Sequence, residues 1–226
     1  MTGFNYFLLV YTPPAQTTSL TGSSGETDAT LHRPHIVGFF SKEKMSWDNN
    51  NLACILIFPP WQRKGLGALL MGVSYEISRR EGILGGPEKP ISDLGKKGYK
   101  RFWAGEIARW LLGLDVAMDG SGEMVVDVNE CSQATWISAD DCLLVLREMG
   151  IAEDAGVGLP RVKKPVADEN EVATPVDVDK VQRVKISHEA VRSWVAKHGI
   201  SLERSCDPSG FVDGYAMKQV MEEEDN

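Results

Sequence analysis

A mixed α/β (α+β) domain followed by a smaller helical module is the fold that this 226-residue sequence predicts. Three observations carry it. Short apolar runs alternate with turn-rich segments over the first 58 residues. A glycine-rich turn follows the third run and opens a strongly periodic helix. The second half then holds short helices, each with a capping residue before it and a glycine after it.

The elements follow in order. Residues 5–12 and 34–42 read as strands, separated by a Thr-, Ser-, Gly- and Pro-rich surface loop over 13–33. The run 52–58 is apolar, short and continuous, which suits a strand covered on both faces, and Pro59 and Pro60 end it. Gln62-Arg63-Lys64-Gly65-Leu66-Gly67 comes next, and Leu66, Leu69, Leu70, Val73 and Ile77 recur at helical spacing over 66–81. Glycines at a helix start let backbone N–H groups approach an anion, which the helix dipole favours there. Residues 82–90 read as a loop. Ser92 is a good N-cap, with Asp93 in the first turn. Phe102, Trp103, Ile107, Trp110 and Leu111 form the apolar face of that helix, and Gly113 is placed to end it. Gly95 and Gly98 weaken its first turns.

Beyond residue 113 a short helix over 126–134 precedes a turn and a second helix, capped by Ser138 and closed by Gly150. This helix-turn-helix pattern carries Asp140, Asp141 and Glu148 against Arg147 alone on its second helix. Such a helix meets phosphates with repulsion, so packing rather than DNA reading is expected. The segment 153–180 reads as a mobile linker. Ser187 caps a last helix with Val191, Trp194 and Val195 inward and Gly199 after it. The acidic end, 222–226, reads as a frayed tail.

Charge divides the chain. Residues 1–113 hold 13 Lys and Arg against 9 Asp and Glu (+4), and residues 114–226 hold 11 against 23 (−12). A basic first half suits a phosphorylated ligand, and an acidic second half suits a basic protein partner rather than DNA. No apolar run approaches the ~20 residues of a membrane helix. Cys54, Cys131, Cys142 and Cys206 are widely spaced and do not complete a metal pattern with the histidines, so no metal is expected. Each thiol reads as buried and inert.

The ordered motifs Val37-Gly-Phe-Phe-Ser-Lys-Glu-Lys44, Asn51-Leu-Ala-Cys-Ile-Leu56, Pro59-Pro-Trp-Gln-Arg-Lys-Gly-Leu-Gly67, Ser74-Tyr-Glu-Ile-Ser78 and Pro87-Glu-Lys-Pro-Ile-Ser-Asp-Leu-Gly95 resemble the MYST family of histone acetyltransferases. The resemblance is dense from residue 4 to 112 and looser beyond. The Asn-Asn-Leu-Ala-Cys and Phe-Pro-Pro variants are similar to a fungal branch linked to silent chromatin. The resemblance implies an acetyl-CoA N-acyltransferase (GNAT-like) core over 1–113 and a winged-helix-like module over 114–226. It implies acetyl-CoA as co-substrate, histone tails or the nucleosome as partner, membership of an acetyltransferase complex, and a nuclear location.

It also implies roles. Backbone groups of Ile55, Leu56 and Ile57 would hold the acetyl and pantetheine portion. Gln62, Arg63, Lys64, Gly65, Leu66, Gly67 and Ala68 would hold the pyrophosphate, and Ser92 would touch the cofactor. Glu88 matches the family's general base, a role that calls for burial to raise a carboxyl from its ordinary ~4.3. Cys54 stands beside the acetyl group. It either forms an acetyl-cysteine or lines the pocket while lysine attacks directly, and an apolar strand disfavours the thiolate and so favours direct attack. A cofactor-contacting serine of the family corresponds to Arg101. The family's zinc-finger segment and autoacetylated lysine precede the matching part, so the chain reads as an N-terminally truncated core, as a sequence begun at an internal methionine, or as a diverged member. The strand 5–12, with Phe4, Phe7 and Leu9, is then expected to lack cover. The other readings are a non-catalytic or weakly active chromatin subunit and a small-molecule N-acetyltransferase; the latter shares the cradle but not the Pro-Glu-Lys-Pro loop.

Overall fold

The computed structural model describes residues 3–14, 33–114, 123–158 and 180–217. Period-two patterning builds the first sheet. Strands β1 (Phe4–Tyr11), β2 (His35–Glu43) and β3 (Cys54–Ile57) pair antiparallel in that order. Phe7 stands opposite Phe40, and Phe40 opposite Ile55, so these side chains share one face. The Phe7 and Phe40 rings stack at 4.5 Å. That face packs on helix α1 (Leu66–Glu81) through a small buried cluster of Phe40, Leu52, Leu70 and Ile77.

The opposite face is open. Tyr6, Leu8, Val10, Ile36 and Leu56 are all exposed, and Cys54 with them. Strand β3 is therefore covered on one face among the described residues, not on both: its continuous apolar run alternates between core and solvent. The expectation for β1 is also corrected. Phe4, Phe7 and Leu9 lie half-buried, Phe7 and Leu9 on the α1 side, and it is Tyr6, Leu8 and Val10 that lack cover.

Helix α2 (Asp93–Leu112) is the spine of the molecule. The Ser92 hydroxyl accepts from the Gly95 N–H at 3.2 Å and so caps it. Phe102, Trp103, Ile107 and Leu111 are buried as the periodicity predicts, with Trp110 half-buried. Gly98 has a packing reason: a Cβ there would sit 3.0 Å from the Met71 methyl, so its absence lets α2 approach α1.

The second half brings larger differences. The expected helix over 126–134 starts as strand β4 (Glu123–Asp127), because Met124 and Val126 alternate into the core. Asp127 then accepts the Asn129 N–H at 2.7 Å and caps helix α3 (Val128–Thr135). Helix α4 (Ala139–Met149) follows with Ser138 and Gly150 as its caps. The expected linker contains strand β5 (Ala152–Gly158), whereas 159–179 lies outside the described residues. Strand β6 (Val181–Ser187) had no counterpart in the sequence reading. It lies between β4 and β5 in an antiparallel sheet. Helix α5 (His188–His198) follows, with Ser187 at its N-cap position but no bond from the serine side chain. Residues 15–32, most of the expected loop over 13–33, and 218–226, which include the expected tail, also lie outside the described residues.

One large apolar cluster joins α1 and α2 to β4, α3, α4, β6 and α5. From Gly199 to Met217 the chain runs as an irregular strap across α1 and α2. Arg109 donates to the carbonyls of Leu202 (2.7 Å) and Glu203 (3.1 Å), and Arg101 to those of His198 (3.2 Å) and Gly199. No described helix is long and apolar enough to cross a membrane.

Candidate active site

The turn between β3 and α1 is built to expose amides. A 3-10 turn over Pro59–Trp61 redirects the chain. The Gln62 side chain donates to the Ile57 carbonyl at 2.9 Å and pins the turn to the end of β3. Arg63 (φ 61°) and Gly65 (φ 80°) are both left-handed. Alternation of this kind turns successive N–H groups toward a common point. Gly65 is the N-cap of α1, has no side chain to satisfy the first-turn amides, and is followed by no acid in that turn. A Cβ at Gly65 or Gly67 would meet no protein atom within 4 Å, so a phosphate can come directly against the backbone there.

The cradle opens onto a cavity of about 620 Å³. Residues 64–69 line one side, Gly98, Arg101, Phe102 and Gly105 another, and the strap at Gly199–Ser201 and Glu203–Ser205 a third. Lys64 projects over the Trp61 ring at 5.1 Å. Among the described residues β3 pairs with β2 alone, apart from a single bridge upstream between Leu52 and Pro87. The edge of Ile55–Ile57 that faces away from β2 is thus open to an extended ligand, except at the Ile57 carbonyl, which accepts from Gln62. These features fit a phosphorylated, partly apolar co-substrate of the acetyl-CoA kind.

The Pro-Glu-Lys-Pro loop is tied to the chain just before that strand. Asn51 N–H donates to the Gly86 carbonyl at 2.9 Å, and Glu88 N–H to the Leu52 carbonyl at 2.8 Å. This register fixes Glu88 beside the residue two positions before Cys54. Two expectations change here. Glu88 is exposed at the loop rather than buried. Cys54 is exposed too, because it points to the open face of the sheet, so the burial argument against its thiolate does not apply. Cys131 and Cys142 are buried as expected, and Cys206 is half-buried with its thiol pushed up by burial and by the nearby carboxylates Glu76 and Asp207.

The structure thus gathers Lys64 to Ala68 on one cavity and ties the Glu88 loop to Leu52, two residues before Cys54 at the start of β3. Gln62 and Arg63 shape the turn. Ser92 is exposed and serves as a helix cap, outside the lining of that cavity. Sequence reasoning missed the strap, Arg109 and Asp141, which faces Lys89. The strap has no periodicity, and Arg109 stands off the apolar face of its helix. Asp141 carried the one available signal, a Ser138-x-x-Asp141 cap.

Residues 26–189 match the MOZ/SAS family model. The chain is 45% identical over 115 residues to the histone acetyltransferase MOF of Drosophila melanogaster, covering 51% of this chain and 13% of that protein. It is 47% identical over 107 residues to the histone acetyltransferase esa1 of Emericella nidulans (47% and 20%), and 57% identical over 79 residues to the histone acetyltransferase ESA1 of Gibberella zeae (35% and 16%). It spans a quarter or less of the length of these curated relatives. The match to the family model extends over well more than half of the chain, and the chain belongs to the MOZ/SAS family.

Proposed function

We propose that this chain carries the acetyl-CoA site and the catalytic loop of a histone lysine acetyltransferase. The observation that carries the reading is the convergence of three parts on β3: its free edge, the open amide cradle at the start of α1, and the Glu88 loop bonded to Leu52. The names of the relatives, histone acetyltransferases from a fly and two fungi, support the same reaction class.

In this reading the amides of residues 65–68 and Lys64 hold the pyrophosphate. The β3 backbone orients the pantetheine and acetyl portion. Glu88, accessible at the loop, takes a proton from the lysine ammonium as the amine attacks the thioester carbonyl. The carbon–sulfur bond breaks and coenzyme A leaves as the thiol or thiolate. Cys54 is a pocket-side residue, and direct attack is preferred over an acetyl-cysteine because attack by lysine needs one transfer rather than two. The β4–β6–β5 sheet with α3, α4 and α5 supports the reading of residues 114–226 as a winged-helix-like module behind a GNAT-like core over 1–113. Histone tails suit the acidic second half. Membership of a complex, a nuclear site of action and the absence of a bound metal complete the proposal. The exposure of Glu88 favours a second reading, a weakly active chromatin subunit with the same fold.

Calorimetry with acetyl-CoA tests the site. Gly65→Asp and Gly67→Asp each set a carboxylate against the pyrophosphate, and each is expected to abolish binding without unfolding the chain. Unchanged affinity in both folded variants sinks the acetyl-CoA assignment. Turnover of a histone-tail peptide by the wild-type chain then separates the enzyme from the weakly active subunit.

A further inference from the structure

Asp141 is a buried carboxylate to which the acetyl-transfer reading gives no task. Its side chain is 6% exposed. It belongs to α4, in the second half, yet it faces the Pro-Glu-Lys-Pro loop of the first.

Both carboxylate oxygens are engaged. Oδ2 accepts the Ser138 hydroxyl at 2.8 Å, and the Asp141 N–H donates back to Ser138 Oγ at 3.2 Å. This reciprocal cap fixes the carboxylate on the helix. Oδ1 accepts from Lys89 Nζ at 3.3 Å. Gly86 lies against the same group: a Cβ there would stand 3.5 Å from Asp141 Oδ2 and 4.0 Å from the Tyr75 hydroxyl. That hydroxyl accepts the Trp103 Nε1–H at 2.7 Å and is itself buried. The loop from Gly86 to Lys89 therefore sits between two supports. The backbone of Asn51 and Leu52 holds one side, and on the other Asp141 bonds to Lys89, with Gly86 passing close by.

A capping carboxylate has no need of burial, since surface Ser, Thr and Asp caps serve helices as well. Burying a charge is costly unless it is paired. Lys89 is 61% exposed, so the pair adds little to stability. What it does supply is position: Glu88 lies between Gly86, which passes close to Asp141, and Lys89, which bonds to it.

We propose that Asp141 is a positioning residue for Glu88, through which the docking of α4 sets the geometry of the catalytic loop. The inference rests on the acetyltransferase reading for what the loop does, but the tie itself can be tested without any turnover.

Amide exchange measured by mass spectrometry on the full chain is the test. Asp141→Asn keeps an acceptor for Ser138 and removes the charge, while Lys89→Met keeps the side-chain stem and removes the partner. Exchange of the segment 86–90 is expected to rise about two- to fivefold in each variant, with α1 unchanged, as a local rather than global opening. The double variant is expected to exchange no faster than the faster single. Lys89→Met changes an exposed side chain, so it decides the matter if Asp141→Asn unfolds. Wild-type exchange over 86–90 in the folded variants overturns the proposal. In the turnover assay, kcat is expected to fall about tenfold with KM for acetyl-CoA unchanged, since misplacing a reacting group costs rate rather than cofactor binding. A rise in KM alone also overturns it. A wild-type chain that transfers no acetyl group counts against the acetyltransferase reading and leaves exchange to decide the tie.

Discussion

The two sheets of this molecule are the same size and differ in what covers them. The β4–β6–β5 sheet sends Met124, Val126, Val184 and Ile186 into the large cluster around α2, and each is at most 4% exposed. The β1–β2–β3 sheet buries one face on a small cluster and leaves Tyr6, Leu8, Val10, Ile36 and Leu56 on the other in solvent. The candidate chemistry lies on the less covered sheet. Stability and the proposed chemistry thus draw on different sheets, and the Asp141–Lys89 contact is one place where the two parts of the molecule meet. Substitutions can pull the two roles apart.

The largest effect is expected at Glu88. Glu88→Gln removes the proposed base and leaves the cradle intact, so histone-peptide turnover should fall roughly 10²–10⁴-fold at neutral pH while acetyl-CoA affinity holds. The deficit should shrink as pH rises, because free lysine amine becomes commoner. Steady-state kinetics from pH 6.5 to about 9 checks both points. Equal rates at neutral pH remove Glu88 from the mechanism.

On the covered sheet the expected loss is in stability. Ile186 is 1% exposed, and truncating such a side chain to Ala costs about 2–5 kcal/mol. Denaturant titration of Ile186→Ala measures it. A cost below ~1 kcal/mol would mean that the second sheet is not the stabilising one, and the contrast would fail.

The same contrast explains what the sequence could reveal. Helix α1 is bounded as its periodicity predicts, from Leu66 to Glu81, and Ser92, Ser138 and the glycines after α4 and α5 mark real helix ends. These signals are local. Strand β6 was invisible because its partner β4 lies far away in sequence, and Val181, Val184 and Ile186 do not alternate strictly. Strand β5, Ala-Glu-Asp-Ala-Gly-Val-Gly, has the composition of a turn and pairs through an irregularity between Asp154 and Val157. In the site, the glycine cradle and the Pro-Glu-Lys-Pro loop were legible because short motifs carry them. The exposure of Cys54 was not, since the open face of a sheet depends on neighbours that periodicity does not name, nor was that of Glu88, since how a loop packs is set by distant elements.

A smaller, pH-dependent effect is expected where the strap meets α1. Arg80 donates to the Pro208 carbonyl at 2.8 Å, stacks over Phe211 at 4.4 Å, and pairs with Glu76 at 2.9 Å. Burial pushes the Glu76 carboxyl up, but hydrogen bonds from Arg79 and Arg80 outweigh it and hold the group below its ordinary value. A carboxylate lowered in the folded state stabilises fully above its unfolded value, ~4.3, and loses that contribution as pH falls through the lowered value. The wild type should therefore lose more stability than Glu76→Gln between pH ~5 and ~3. A partly exposed pair is worth about 0.2–1 kcal/mol, so the difference is roughly 1–3 °C in melting temperature. Parallel acid profiles in the two proteins would show that Glu76 does not hold Arg80 in place.

The smallest effect is expected on the open face of the first sheet. Leu8 stands opposite Phe39, which stands opposite Leu56, so these three residues form a row across the sheet. Leu8 is 56% exposed and Leu56 42%. Side chains that already sit in water give up little burial when they are changed, so Leu8→Lys should alter monomer stability by no more than about 0.5 kcal/mol. Its effect should appear in association instead, because an exposed apolar strand at a sheet edge is prone to pair with other chains and a lysine there opposes pairing. Light scattering at rising concentration should show the variant more monodisperse than the wild type, with near-identical denaturation midpoints. A loss above ~1 kcal/mol would mean that Leu8 is buried in solution by contacts between copies of the chain. The contrast between a covered and an uncovered sheet would then describe the isolated chain but not the protein at working concentration.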